Sequence, residues 1–303
     1  MQHQPALTDV APCTVPGLEV EHRFVDVGDV TLHVAFAGPV GGPPVILLHG
    51  FPEAWFGWHH QIRALAAAGF RVVVPDQRGY NLSEKPAGIA NYRIDVLAQD
   101  IVGLADALGF DAWSVASHDW GAAVAWQLAF TEPRGLQRVA VLNVPAPQVM
   151  QAHVRRPKQA MRSWYMLAFQ VPVLVEVWLT RANGMGLAKT IAKDARPGTF
   201  DDHLDRYAAS YLRPGAMSGM LAWYRAAVRL PPPELPRDRV RIPMRILWGM
   251  GDPHLGSEMV DPSAEHCEYV AVDRYDDASH WVQHEAADRV NAVLIEHFGA
   301  VAT

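Results

Sequence analysis

Asp119 sits in Ser117-His118-Asp119-Trp120-Gly121, with a small residue two positions to either side. Small flanks let a strand turn sharply into a helix and leave the central side chain exposed at the helix start. This is the layout of a nucleophile elbow. Its usual centre is Ser; here it is Asp. A carboxylate attacking an acyl carbon gives a reactive anhydride. Attack on a saturated carbon gives an ordinary alkyl ester that water can cleave. The residue type therefore selects an epoxide or an alkyl halide as the electrophile. Downstream, Asp252 lies in Gly249-Met250-Gly251-Asp252-Pro253 and His280 in Ser279-His280-Trp281. Nucleophile, acid and His follow in the order of a catalytic triad. Asp252 is expected to hold the imidazole of His280, which deprotonates a water. The other place for the acid, after residues 139–142, holds Asn143, which carries no charge.

Ester cleavage needs donors for an oxyanion, and the backbone N–H groups of Phe51 and Trp120 are the candidates. An epoxide also needs a proton donor at its departing oxygen. A phenol suits this, being neutral at pH 7, and Tyr165 and Tyr224 are the candidates. A halide needs only N–H donors. The rival reading is therefore a haloalkane or haloacid dehalogenase, with the Trp120 indole on the halide. Against it, Phe51 stands where a halide-binding Asn is usual, and the two tyrosines have no part in halide release. A catalytically idle ligand-binding protein would not need Asp252 and His280 together. His49, Glu53, Trp164, Phe169 and Trp281, together with the Phe51 ring and the Trp120 indole, are expected to wall or support the pocket. Glu53 reads equally as a buried carboxylate orienting water and as a helix N-terminal acid. His118 is expected to face away from Asp119, and Arg78 to be a structural ion-pair partner.

The elements that must position these residues follow from hydrophobic patterning. Residues 21–27 and 30–37 read as a hairpin around Gly28-Asp29. Apolar runs at 45–48, 71–75, 112–116 and 139–142 read as buried parallel strands. Helices are expected over 55–68, from Ile94 to Leu108, and over 121–130. His49, Asp76 and Asp119 fall just after strands, where functional residues gather in such sheets. Residues 145–236 change character, being helical and aromatic-rich and ending in Pro231-Pro232-Pro233. The sheet resumes at 244–248 and 269–272, and a helix over 285–298 closes the chain. The fold class is α/β, a mostly parallel sheet covered by helices on both faces. Residues 1–144 and 237–303 form the core, and 145–236 a helical cap inserted between strands. Residues 1–18 are expected to be an irregular arm.

Composition narrows the function classes. Half of the 303 residues are hydrophobic and the net charge is −6, so no general basic surface argues for nucleic acid. Cys13 and Cys267 are too few for a disulfide framework. No apolar run is long enough to span a membrane, and no secretory pattern opens the chain, which gives a cytoplasmic expectation. The histidines lack zinc-type spacing. His59 and His60 are adjacent and are expected not to point inward together, so neither metal nor cofactor is expected. Expected partners are a small apolar or aromatic epoxide and water, with a monomer or homodimer as the working state.

The motifs together resemble the soluble-type epoxide hydrolases of the α/β-hydrolase superfamily over residues 20–299. His49-Gly50-Phe51-Pro52-Glu53 is similar to that family's HGxPE loop, where a cis bond precedes Pro52. Gln77-Arg78-Gly79-Tyr80 resembles its RGY segment, and Ser117 to Gly121 its HDWG nucleophile motif. Asn143-Val144-Pro145 resembles the stretch leading into the cap. Tyr165 to Gln170 and Trp223-Tyr224-Arg225 resemble the two cap-tyrosine segments. Ser279-His280-Trp281 aligns with GHW, Ser replacing the usual Gly. The resemblance implies cofactor-free opening of epoxides to vicinal diols.

Overall fold

The structure is a computed structural model that describes Val15 and residues 17–200 and 203–299. Most of the arm expected over residues 1–18 lies outside the described residues. Strands β1 (Glu21–Asp26) and β2 (Thr31–Ala37) form the antiparallel hairpin. Then come β3 (Pro44–Leu48), α1 (His59–Ala67), β4 (Arg71–Pro75), α2 (Ile94–Ala107), β5 (Trp113–His118), α3 (Trp120–Thr131) and β6 (Leu136–Leu142). The strand order in the eight-stranded sheet is β1-β2-β4-β3-β5-β6, continued by β7 (Met244–Gly249) and β8 (Val270–Tyr275). From β4 onward every pairing is parallel. The inner strands are buried along most of their length, because helices cover both faces and leave no polar side.

Between β6 and β7 the chain leaves the sheet through α4 (Pro147–His153), α5 (Pro157–Arg162), α6 (Trp164–Ala168) and α7 (Leu174–Thr180). It returns through α8 (Met185–Asp194), α9 (Leu204–Tyr211) and α10 (Ala216–Arg229). After β7 come α11 (Val260–Ala264), β8, α12 (Val282–Glu285) and α13 (Ala287–Gly299). Helix α1 packs on α13, and α2 on α3.

Several boundaries differ from those read in the sequence. Residues 55–68 are not one helix. Trp55–Trp58 is a 3₁₀ turn, because the Trp55 N–H is tied to Asp76 Oδ1 at 3.0 Å and the chain tightens there before α1 begins. Strand β5 runs to His118, since β6 pairs with it as far as His118 opposite Leu142. Strand β8 runs to Tyr275, paired with Gly249. The closing helix splits into α12 and α13 around Ala286.

Candidate active site

Strand β5 ends at His118 and α3 starts at Trp120, so the whole turn falls on Asp119. Its backbone has φ 49° and ψ −125°, a conformation that non-glycine residues rarely adopt. Such strain costs of order 1–3 kcal/mol and persists only where the surroundings enforce it. They do so here. A Cβ at Gly121 would collide with the Leu48 and His49 carbonyls, and one at Gly50 with the Asp119 carboxylate. The Phe51–Pro52 bond is cis, as the loop motif implied.

The Asp119 carboxylate is held at both oxygens. Oδ1 accepts the Phe51 N–H at 2.7 Å, and the Trp120 N–H also donates to the group. Oδ2 lies 3.6 Å from His280 Nε2, and the side chain is 16% exposed. Burial raises the Asp119 pKa, but the hydrogen bond and charge of His280, with the Trp120 N–H, outweigh it and lower the group below its usual value. His280 Nδ1 lies 2.7 Å from Asp252 Oδ2. Asp252 is itself fixed by the His254 and Leu255 N–H groups at 2.7 and 2.9 Å and by Asn143 Nδ2 at 2.8 Å. Burial lowers the His280 pKa, yet the Asp252 charge and the bonds to Asp119 and Asp252 raise it to about 10. At neutral pH the imidazole is therefore charged between two carboxylates.

Above Asp119 opens a cavity of about 1050 Å³, lined mainly by apolar side chains. Asp119 and His280 are on its floor. Phe51, Tyr165, Phe169, Tyr224 and Trp281 are on its walls. The Tyr165 and Tyr224 rings lie 6.0 Å apart, and both pack on Phe169. Burial, with the nearby Asp119 charge, pushes both phenols above their ordinary pKa, so both keep their protons at pH 7.

The remaining predicted residues divide. Trp164 does line the cavity, but at its mouth and 66% exposed, since α6 is an exposed turn of the insertion. The Trp120 indole is absent from the cavity wall. It stands behind Tyr224, ring centroids 5.0 Å apart, and hydrogen-bonds that tyrosine's side chain. His49 is fully buried beneath the loop, where Nε2 accepts the Gln77 N–H at 3.2 Å and Tyr80 packs edge-on. Glu53 lies outside the cavity lining. It is buried and bonded to Tyr207 and His284 at 2.8 Å each and to Gln283 at 3.1 Å. His118 is buried, its Nε2 2.8 Å from the His280 carbonyl and its Nδ1 3.1 Å from Gln283. Asp76 spans His33, Asn81 and Trp55 and belongs to the scaffold. Arg78 pairs with the buried Asp100.

Three features escaped the sequence reading. Asn143, which carries no charge and opens the stretch leading into the cap, braces Asp252 at 2.8 Å and accepts the Gly249 N–H at 2.9 Å. His254 packs edge-on to both Tyr165 and His280. The adjacent His59 and His60 do not point inward together, His60 being exposed, but their rings stay side by side. Their rings lie 3.9 Å apart, and both face His284 from α12.

Comparison with known proteins agrees with this geometry. The alpha/beta hydrolase fold family matches residues 43–184. An AB hydrolase superfamily protein of Bacillus subtilis, YfhM, is 42% identical over 92% of this chain and 98% of its own length. Epoxide hydrolase A of Mycobacterium tuberculosis is 34% identical over 90% of this chain and 96% of its own. The chain belongs to the epoxide hydrolases of the α/β-hydrolase superfamily. Among solved structures, a mutant epoxide hydrolase of Bacillus megaterium, complexed with its product (R)-3-[1]naphthyloxy-propane-1,2-diol, superposes with a TM-score of 0.83. It is 32% identical over 92% of this chain and all of its own. In this epoxide hydrolase, among the described residues, no helix is long and apolar enough to cross a membrane.

Proposed function

We propose that the protein hydrolyses epoxides to vicinal diols through an alkyl ester on Asp119. One observation carries the reading: Asp119 Oδ1 is pinned by the Phe51 N–H while Oδ2 faces His280 in a cavity walled by two protonated tyrosines. Oδ2 attacks a ring carbon from the side opposite the epoxide oxygen. The carbon–oxygen bond breaks, and Tyr165 and Tyr224 hydrogen-bond and protonate the departing oxygen. Residues 145–236, which supply both tyrosines, act as a cap over the core.

Alkylation removes the Asp119 charge. His280 then loses one of the two carboxylates that hold its proton, its pKa falls, and that proton goes to the phenolate left by ring opening, which restores the tyrosine and leaves the imidazole a base. It takes a proton from water, which attacks the ester carboxyl carbon. The resulting oxyanion stays on Oδ1, at the Phe51 and Trp120 N–H groups. Collapse breaks the bond from the carboxyl carbon to the alkyl oxygen, which takes the second proton of the attacking water and leaves as the diol; Asp119 is again a carboxylate, with one oxygen from water, and His280 keeps the first proton and is again charged. Asp252 keeps the imidazole oriented and stabilises its charged form.

The cavity suits a substrate with an aromatic or alkyl arm. The aryloxy-diol held by the Bacillus megaterium enzyme has such an arm. The dehalogenase reading loses support because the Trp120 indole N–H is engaged with Tyr224 and the indole does not line the cavity. A single turnover with excess enzyme in ¹⁸O-water tests the ester. The first diol formed should carry no label, and Asp119 should acquire it. Label in the first diol, with none in Asp119, would mean direct attack by water and would sink the proposal.

A further inference from the structure

Helices α1 and α12 and the start of α9 bring four imidazoles to one place outside the cavity. His59 and His60 open α1, His284 lies on α12, and His203 precedes α9. One ring nitrogen from each of His59, His60 and His284 lies within 4.8 Å of the other two. The His203 ring centroid is 4.5 Å from that of His59. Hydrogen bonds fix where the lone pairs point. His59 Nδ1 donates to the Phe56 carbonyl at 3.1 Å, which leaves the lone pair on Nε2. His284 Nε2 faces Glu53 Oε1 at 2.8 Å and carries a proton, which puts its lone pair on Nδ1. That Nδ1 is buried and has no hydrogen-bond partner, in a residue only 8% exposed. A carboxylate behind a histidine whose other nitrogen is open is the arrangement that orients metal-binding imidazoles.

We propose that His59, His60 and His284 bind one divalent transition ion of the zinc or cobalt type, with His203 at the edge of the site. Neutral imidazoles favour such ions over calcium or magnesium, which take oxygen ligands. Tetrahedral coordination with metal–nitrogen bonds of about 2.0–2.1 Å sets the nitrogens roughly 3.4 Å apart, within reach of small ring rotations from the distances here. A cation on His284 Nδ1 would place positive charge on the ring that Glu53 holds from its other side. Arg63 opposes and Asp288 favours a cation near His60. The ion clamps α1 to α12 and, through His203, reaches the helical insertion. Its role is structural and separate from the turnover on Asp119.

Titration of the full metal-free chain with Zn²⁺ tests this, read by calorimetry, native mass spectrometry and thermal unfolding, none of which depends on turnover. One ion per chain should bind, and Tm should rise with its concentration. His60 is exposed, so His60→Ala should fold normally yet lose about tenfold or more in Zn²⁺ affinity, along with the Tm rise. His59→Ala should do the same, and Co²⁺ should give tetrahedral visible bands in the wild type alone. No uptake by the wild type would overturn the site, as would uptake and a thermal shift that survive both substitutions.

Discussion

Asp119 is attached to a backbone under strain, and its two oxygens have different neighbours. Oδ1 accepts the Phe51 N–H; Oδ2 is the one that meets His280. The two tyrosines above it have different surroundings. Tyr224 is tied to Trp120 and buried, whereas Tyr165 stands next to His254. On the proposed mechanism, removing both hydroxyls leaves the departing oxygen without a proton. Tyr165→Phe with Tyr224→Phe should therefore lower epoxide turnover by roughly 10²–10⁴-fold, the usual worth of a general acid. Unchanged kcat in the double variant would remove both from the reaction. Residue type and frame single out Asp119, Asp252 and His280, and the structure brings the three side chains together. Side-chain direction is not legible that way. Nothing in Asp-Trp-Gly tells whether the indole faces the cavity or Tyr224, and an isolated Trp164 carries no sign that α6 leaves it at the rim.

The elements that hold the site were legible where burial is two-sided. Strand β4 was read to the residue, because a run such as Arg71-Val72-Val73-Val74-Pro75 has no polar face to confuse its period. Strand ends were less legible, since they are set by pairing with neighbours: β5 runs past its apolar run to His118 because β6 is there to meet it. The Glu53 network was not legible at all. It joins the first loop, α9 and α12 through Tyr207, Gln283 and His284, residues distant in sequence that no spacing links. The elbow makes its own prediction at this scale. Gly121 faces the Leu48 and His49 carbonyls, so Gly121→Ala forces α3 away from β3. Overpacking of this kind costs about 1–3 kcal/mol. Thermal unfolding should show a lowered Tm together with lost turnover. A variant with wild-type Tm and activity would mean that the close approach is not needed.

For the whole molecule, the charged site is also a term in stability. His280 is raised to about 10 in the folded chain and stands near 6.5 when unfolded. A raised pKa means that the folded state binds the proton more tightly. The stabilisation is complete below about pH 6.5 and disappears as pH climbs through about 10. Wild-type Tm should therefore fall across that window, and the fall should be shallower in His280→Gln, which has no such proton. Parallel Tm–pH curves for the two proteins would show that the charged imidazole contributes nothing to folding. The same substitution isolates the chemistry, because it keeps the nucleophile and removes the base. Intact mass spectrometry of His280→Gln, incubated with styrene oxide and separately with a dibromoalkane, tests the central claim most directly. The account predicts one stable adduct from the epoxide, mapped to Asp119, and none from the halide. No adduct from the epoxide, an adduct on another residue, or an adduct from the dibromoalkane alone would contradict it.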